Sequence, residues 1–161
     1  MKAKYENFII DVDGVLSTGQ FLYDVNGKRF KIFGPDDNDA LKLLKSFLKV
    51  NFVTSDKRGF NISKKRVEDM GFKLKYVKSV ERANWIKKNF KSQKTIYMGD
   101  GIFDFLVFKH VGYSICPSNA DFNCKRNADF VTKNKSGERA LSEACLHIIS
   151  KLFKKNFLDL I

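Results

Sequence analysis

Residues able to do chemistry together follow three short apolar runs. Asp11 and Asp13 stand two apart directly after Phe8-Ile9-Ile10. Thr54-Ser55 closes Phe52-Val53, and Gly99-Asp100-Gly101-Ile102-Phe103-Asp104 follows Ile96-Tyr97-Met98. Between them Lys78 and Arg82 lie one helical turn apart at the opening of a basic segment. Carboxylates packed this closely raise one another's pKa unless a cation offsets the repulsion. An all-oxygen site with a few carboxylates and room for water suits Mg²⁺. Taken singly, each piece has a plain structural use. An Asp at a strand-to-helix junction caps the helix, Asp-Gly makes a turn, and a Lys or Arg at a helix start is a solvated charge. Their order on successive apolar runs is what points to one site.

Such a site needs a scaffold that brings the run ends to one edge. The pattern predicts strands at 8–10, 51–54, 74–77, 95–98, 113–116 and 130–131. Helices are predicted over 37–49, 61–70, 80–90, 103–110 and 137–153; Leu41, Leu44 and Leu48 mark the first by their spacing, and Gly71 stops the second. Two further strands, 20–23 and 28–33, flank Asp24-Val25-Asn26-Gly27, and Asn-Gly between apolar residues is a strong hairpin signal. Strand and helix alternating at this period give an α/β fold: a three-layer, doubly wound, mostly parallel sheet with a hairpin flap. In such sheets ligands bind beyond the carboxyl ends of the strands. A length of 161 residues fits a single domain over 1–161.

Composition narrows the classes. The chain is 43% hydrophobic and 30% charged, which excludes a disordered chain. Its apolar runs are too short to span a bilayer, so no membrane partner is expected. Residues 1–7 hold Lys2, Lys4 and Glu6 without an apolar stretch, so no secretory leader is expected. Three cysteines (Cys116, Cys124 and Cys145), odd in number and without Cys-x-x-Cys spacing, predict small buried thiols in a reducing cytoplasm. A net charge of +12 attracts anions such as nucleic acid, acidic lipid or phosphorylated small molecules. The lysines are spread along the chain and no nucleic-acid motif accompanies them, so they are expected to form a solvated surface.

The conjunction of motifs resembles the haloacid dehalogenase superfamily of phosphatases. Asp11-Val12-Asp13-Gly14-Val15 is similar to its first motif, Thr54 to its second and Gly99-Asp100 through Asp104 to its fourth. Arg82 stands where its third-motif lysine is expected, with Lys78 one turn earlier as the other candidate. Neither gap between motifs can hold a cap domain. The chain therefore looks like the capless branch, which includes 3-deoxy-manno-octulosonate 8-phosphate phosphatases and their sialic-acid-like relatives. Asp11 through Leu16, the Asn-Gly hairpin and Ala128-Asp129-Phe130-Val131-Thr132 carry that likeness. The resemblance implies an Mg²⁺-dependent phosphomonoesterase acting on a small phosphorylated metabolite, a sugar or keto-sugar acid phosphate of cell-surface glycan biosynthesis. It implies Asp11 as nucleophile, forming an aspartyl-phosphate, and Asp13 as general acid and base. Metal would lie on Asp11, the Asp13 carbonyl and Asp100. Phosphate would lie on Thr54, Ser55 and Arg82 or Lys78, with Gly14 supplying backbone donors and Asp104 orienting the loop. In the capless branch the hairpin joins four subunits, which implies a homotetramer with 20–33 as its assembly and lid element.

This sequence departs from the branch at three places. Pro35-Asp36-Asp37-Asn38-Asp39 replaces the usual Arg-Asp-Gly stretch, Ser55-Asp56 replaces Gly-Arg, and Ser136-Gly137-Glu138-Arg139 replaces Gly-Gly-Arg-Gly. These point to a related phosphatase with another substrate. Another phosphorylated alcohol or a nucleic-acid end phosphate is the nearest alternative. A phosphoacceptor receiver module also uses Asp, Thr and Lys on an α/β sheet, but its acidic pair is adjacent and ends a middle strand. A basic binding module without turnover would show binding that weakens steeply with salt.

Overall fold

The structure, a computed structural model, describes residues 4–161, so part of the 1–7 segment lies outside it. Six strands form a wholly parallel sheet: β1 (Asn7–Asp11), β4 (Lys49–Thr54), β5 (Leu74–Tyr76), β6 (Thr95–Met98), β7 (Tyr113–Cys116) and β8 (Phe130–Val131), in the order β5-β4-β1-β6-β7-β8. β2 (Ser17–Asp24) and β3 (Gly27–Phe33) pair antiparallel as a separate hairpin. The register sets Ile10 beside both Phe52 and Met98, so β1, β4 and β6 end at the same edge.

Each strand alternates between two apolar layers. Phe8, Ile10, Phe52, Ile96, Met98 and Ile115 face one, while Ile9, Val53, Tyr97 and Cys116 face the other. Both faces are dry, as a parallel sheet requires. The first layer is closed by α1 (Asp37–Leu44), α2 (Phe60–Asp69) and α6 (Ala140–His147), through Leu41, Leu44, Val67, Leu141 and Cys145. The second is closed by α3 (Arg82–Asn89), α4 (Asp104–Phe108) and α5 (Phe122–Asn127), through Ile86, Val107, Phe108 and Cys124. All three cysteines are free and buried, as their apolar settings predict. Among the described residues no helix is long and apolar enough to cross a membrane.

The differences from the predicted elements have local causes. α1 ends at Leu44 because the chain turns tightly there, Phe47 N donating to Leu44 O, to start β4 early. That early start lets Lys49 and Val50 pair with Asn7 and Phe8. α3 begins at Arg82, after a separate turn over Ser79–Glu81. The last helix begins at Ala140 because Gly137 and Arg139 both take positive φ, and it widens into a π-type turn over Ile148–Leu152. α5 escaped prediction because its six residues carry no apolar period; its signal was Asp121, whose carboxylate caps Asn123 N at 2.9 Å.

One buried acid lies on the first layer. Asp37 Oδ1 accepts from Ser142 N at 3.0 Å, tying α1 to α6, while its Oδ2 is buried without a partner. Burial pushes this carboxyl from 3.8 up to about 6. A carboxyl raised in the folded state contributes stability that is complete below the unfolded value and is lost as pH climbs through the folded one. Asp37→Asn should therefore flatten the fall in stability between about pH 4 and about pH 7, gaining on the order of 1 kcal/mol over wild type at the upper end. Urea denaturation of both proteins in Mg²⁺ at the two pH values checks this.

Candidate active site

The chain leaves β1 at Asp11 and enters a single irregular turn, Val12–Leu16. Inside it Asp13 is extended and Gly14 has φ +88°, a left-handed conformation in which glycine is unstrained. A Cβ on Gly14 would sit 2.0 Å from Asp100 Oδ2, so the close approach of this turn to the β6 loop also requires glycine. The Asp11 carboxyl is held at the strand end by Val12 N, which donates to Oδ1 at 2.9 Å.

Arg82 is wholly buried, on the second layer beneath this edge. Its Nη1 lies 2.9 Å from Asp11 Oδ2 and donates to Asp104 Oδ1 at 2.9 Å and to Tyr97 Oη at 2.7 Å. Tyr97 Oη donates in turn to Asp104 Oδ1 at 2.5 Å. The other Asp104 oxygen accepts from Asp100 N at 3.0 Å and Gly101 N at 2.9 Å. Asp104 is thus tied to the backbone of the Asp100–Gly101 loop. Asp11, Asp100 and Asp104 each bring a carboxylate oxygen to a cluster within 4.8 Å, and the cluster opens on a cavity of about 350 Å³. An excess of close, largely buried carboxylate oxygens over a single cation is a donor set that fits a divalent, hard metal ion.

Asp13 lines the same cavity on other partners. Its carboxyl accepts from Lys31 Nζ at 2.5 Å and from Thr54 Oγ1 at 2.8 Å. Thr54 is fully buried, and its hydroxyl also accepts from Asp56 N at 3.0 Å. Asp56, which stands where an arginine is expected, takes Lys28 Nζ at 2.5 Å and Lys31 Nζ at 2.8 Å.

Residues 40–144 match the haloacid dehalogenase-like hydrolase family. The chain belongs to that family. Two curated relatives are 3-deoxy-D-manno-octulosonate 8-phosphate phosphatases. The one from Haemophilus influenzae is 29% identical, over 99% of this chain and 92% of its own length. That from Escherichia coli K12 is 30% identical, over 89% of this chain and 80% of its own length. A solved structure, the cobalt-bound deoxy-D-mannose-octulosonate 8-phosphate phosphatase of Haemophilus influenzae, superposes with a TM-score of 0.80 at 26% identity. That match covers 94% of this chain and 91% of the solved one. As a phosphatase of the haloacid dehalogenase type, this chain is a phosphoric monoester hydrolase. Mg²⁺ is the cofactor of such phosphatases, and the Asp11, Asp100 and Asp104 cluster is where this haloacid dehalogenase relative can hold it.

Most of the predicted site residues converge. Asp11, Asp13, Ser55, Arg82, Asp100 and Asp104 line the cavity, with Thr54 beneath Asp13 and Gly14 against Asp100. Lys78 does not join them. Its side chain is exposed, pairs with Glu81 at 3.2 Å, and lines a separate recess with Lys57, Phe60 and Tyr76. The tight turn at Ser79–Glu81 separates it from Arg82, which alone is carried inward by α3. Sequence reasoning missed Tyr97, Lys28, Lys31 and Asp56. Tyr97 carried a signal, being the polar tip in an otherwise apolar strand one residue before the cluster's loop.

A single guanidinium does not offset the burial of Asp11 and Asp100, whose carboxyls are pushed toward the protonated form. Burial pushes Asp11 up to about 7 against the pull of Arg82, and burial with Asp11 and Asp104 pushes Asp100 up to about 8. Ionising both in the folded, metal-free protein costs stability, increasingly as pH rises through those values. Mg²⁺ should therefore raise the melting temperature more at about pH 8 than at about pH 6, where protons must leave first. In Asp100→Asn the Mg²⁺ affinity should fall by more than about tenfold while the metal-free protein at the higher pH melts no lower than wild type; titration calorimetry and thermal melts read both. Arg82→Ala leaves Asp11 and Asp104 buried without their cation and should cost about 3 to 5 kcal/mol with loss of turnover. Lys78→Ala should stay within about twofold of wild type, since a surface pair is worth under about 1 kcal/mol. Equal effects of the two substitutions would place the cation on the wrong residue.

Proposed function

We propose that the protein hydrolyses the terminal phosphate of a sugar or keto-sugar acid related to 3-deoxy-octulosonate 8-phosphate, with Asp11 as nucleophile and Asp13 as acid and base. The observation that carries the chemistry is the Asp11 carboxyl held at a strand end, 2.9 Å from Arg82 and inside a three-carboxylate cluster. An Asp11 oxygen attacks phosphorus, the bond from phosphorus to the leaving alkoxide breaks, and the alkoxide takes the Asp13 proton. Asp13, now a carboxylate, removes a proton from the water that attacks the aspartyl-phosphate; phosphate leaves and both side chains are restored. Thr54, Ser55 and Arg82 hold phosphate oxygens. Mg²⁺ on Asp11, the Asp13 carbonyl and Asp100 would supply charge neutralisation between nucleophile and phosphate.

The leaving-group class is supported by a second, polar recess of about 510 Å³ that shares Asp100 with the cluster. Thr18, Gln20, Asn119, Lys135, Ser136 and Glu138 line it, a hydroxyl-, amide- and charge-bearing wall that suits a polyhydroxylated acid. The names of the curated relatives point the same way. A homotetramer is supported by the hairpin, whose Leu22, Phe30 and Ile32 are exposed, a larger apolar face than a lone ribbon keeps in water. The three free, buried thiols fit a cytoplasmic setting.

A panel of octulosonate 8-phosphate, a sialic-acid-type phosphate, hexose phosphates and a phosphorylated nucleic-acid end tests this reading. Keto-sugar acid phosphates should exceed hexose phosphates in kcat/KM by at least about tenfold, and Asp11→Asn should abolish turnover of all. The protein should sediment as a tetramer, and a Gly/Ser replacement of 20–33 as smaller, poorly active species. Equal rates on every phosphate, or full activity from a monomer, would overturn the substrate and assembly readings respectively.

A further inference from the structure

Lys31 is a buried ammonium on a hairpin whose outer face is exposed. In β3 its neighbours Phe30 and Ile32 are turned to solvent, whereas the Lys31 side chain is completely covered. Its three N–H donors meet three acceptors: Asp13 Oδ1 at 2.5 Å, Ser63 Oγ at 2.7 Å and Asp56 Oδ2 at 2.8 Å. Burying an ammonium is costly unless every donor is met and a counter-charge lies close, and here both conditions hold.

The two acids depend on Lys31 unequally, and Asp56 is its counter-charge. Asp56 also takes Lys28 and Gly59 N, so its charge is balanced without Lys31. Among the described residues, only Lys31 and Thr54 reach the Asp13 carboxyl with their side chains. The Thr54 hydroxyl has one proton to donate, and in the reaction proposed above a phosphate oxygen competes for it. Once Thr54 turns to phosphate, Lys31 is the contact that still fixes where the Asp13 carboxyl stands.

We infer that Lys31 is a positioning residue for the hydrolysis: its ammonium places the Asp13 carboxyl for proton transfer to the leaving alkoxide, and so ties the acid to the hairpin. The inference rests on Asp13 being the acid and base. A lysine that merely pins β3 to the β4–α2 loop would look the same in a static structure, but the two roles differ in the leaving group. An acidic phenol leaves with little protonation, whereas a sugar alkoxide needs a well-placed acid.

The experiment compares Lys31→Met, Lys31→Arg and Asp13→Asn with wild type, each with Mg²⁺, on p-nitrophenyl phosphate and on the fastest sugar phosphate of the panel above. Lys31→Met should lose on the order of a hundredfold in kcat on the sugar phosphate and less than about tenfold on the aryl phosphate, with KM little moved. Adding Asp13→Asn to it should cost the sugar phosphate reaction little more, because the two residues act as a unit. Should Lys31→Met not fold, Lys31→Arg keeps the charge but offers a planar fork to a tetrahedral set of acceptors, and should show the same leaving-group selectivity. Equal losses on the two substrates in the lysine variants, with selective loss in Asp13→Asn, would overturn the inference alone. Equal losses in Asp13→Asn as well would overturn both it and the acid–base assignment. Collapse of both lysine variants would assign Lys31 to the fold and overturn the positioning role.

Discussion

A single buried guanidinium balances the carboxylates at the edge of the sheet, and the site's geometry and electrostatics both follow from it. Arg82 meets Asp11, Asp104 and Tyr97 through one nitrogen, Nη1, while its Nε and Nη2 are buried without a partner. As a device for stability this is poor, because burying a charge and then leaving two of its nitrogens, with three N–H donors, unmet forfeits much of the Coulombic return. As a device for holding the Asp11 carboxyl it is apt. The cation keeps the Asp11 carboxyl from turning away, and through Asp104 it also sets the Asp100–Gly101 backbone. One guanidinium cannot neutralise three acids. Burial first, and then the charge that one guanidinium leaves unbalanced, push Asp11 to about 7 and Asp100 to about 8, and a divalent ion would cancel that charge.

The topology explains why these groups meet. With β1 in the middle, β4 on one side and β6 on the other, Asp11, Thr54 and the Asp100 loop lie on three adjacent strand ends. The chain visits β4 and β5 before crossing β1 to β6, so the flanking loops diverge at the β1–β6 boundary and leave the crevice in which ligands bind in open α/β sheets. Gly14 lets the β1 turn lean onto Asp100 without a clash, which brings two motifs far apart in sequence into one cluster.

Much of this was legible in the residues, for a physical reason. A strand buried on both faces reads as an unbroken apolar run, so the first polar residue after each run marks a carboxyl end; Asp11, Thr54 and Gly99-Asp100 all announce themselves in that way. Choosing between Lys78 and Arg82 was harder, because both stand near one helix start and only the tight turn over Ser79–Glu81 decides which is carried inward. The hairpin's contribution was hidden altogether. Alternation in 28–33 suggests apolar residues inward and lysines outward, but Phe30 and Ile32 face solvent while Lys31 faces the acids. The pattern identifies two faces without saying which is inside; the carboxylates of Asp13 and Asp56, distant in sequence, reverse the usual phase.

That reversal gives the hairpin a double character. Its inner face is anchored to the site by charge: Lys28 stands over the Phe21 ring at 3.7 Å and on Asp56, and Lys31 reaches Asp13. Its outer face is apolar and half-exposed through Leu22, Phe30 and Ile32. Two-stranded ribbons are soft elements, and a ribbon moves as a unit because its cross-strand bonds fix one strand to the other. Whatever surface covers the outer face therefore also restrains the Lys31 ammonium, and through it the carboxyl that must meet the leaving group. A partner chain seated there would do more than remove apolar area from water. It would narrow the range of positions open to Asp13, and proton transfer is sensitive to displacements well under the width of an atom. On the proposed reading, assembly and acid catalysis would be coupled through one side chain, with no need for the partner to place a residue on the phosphate itself.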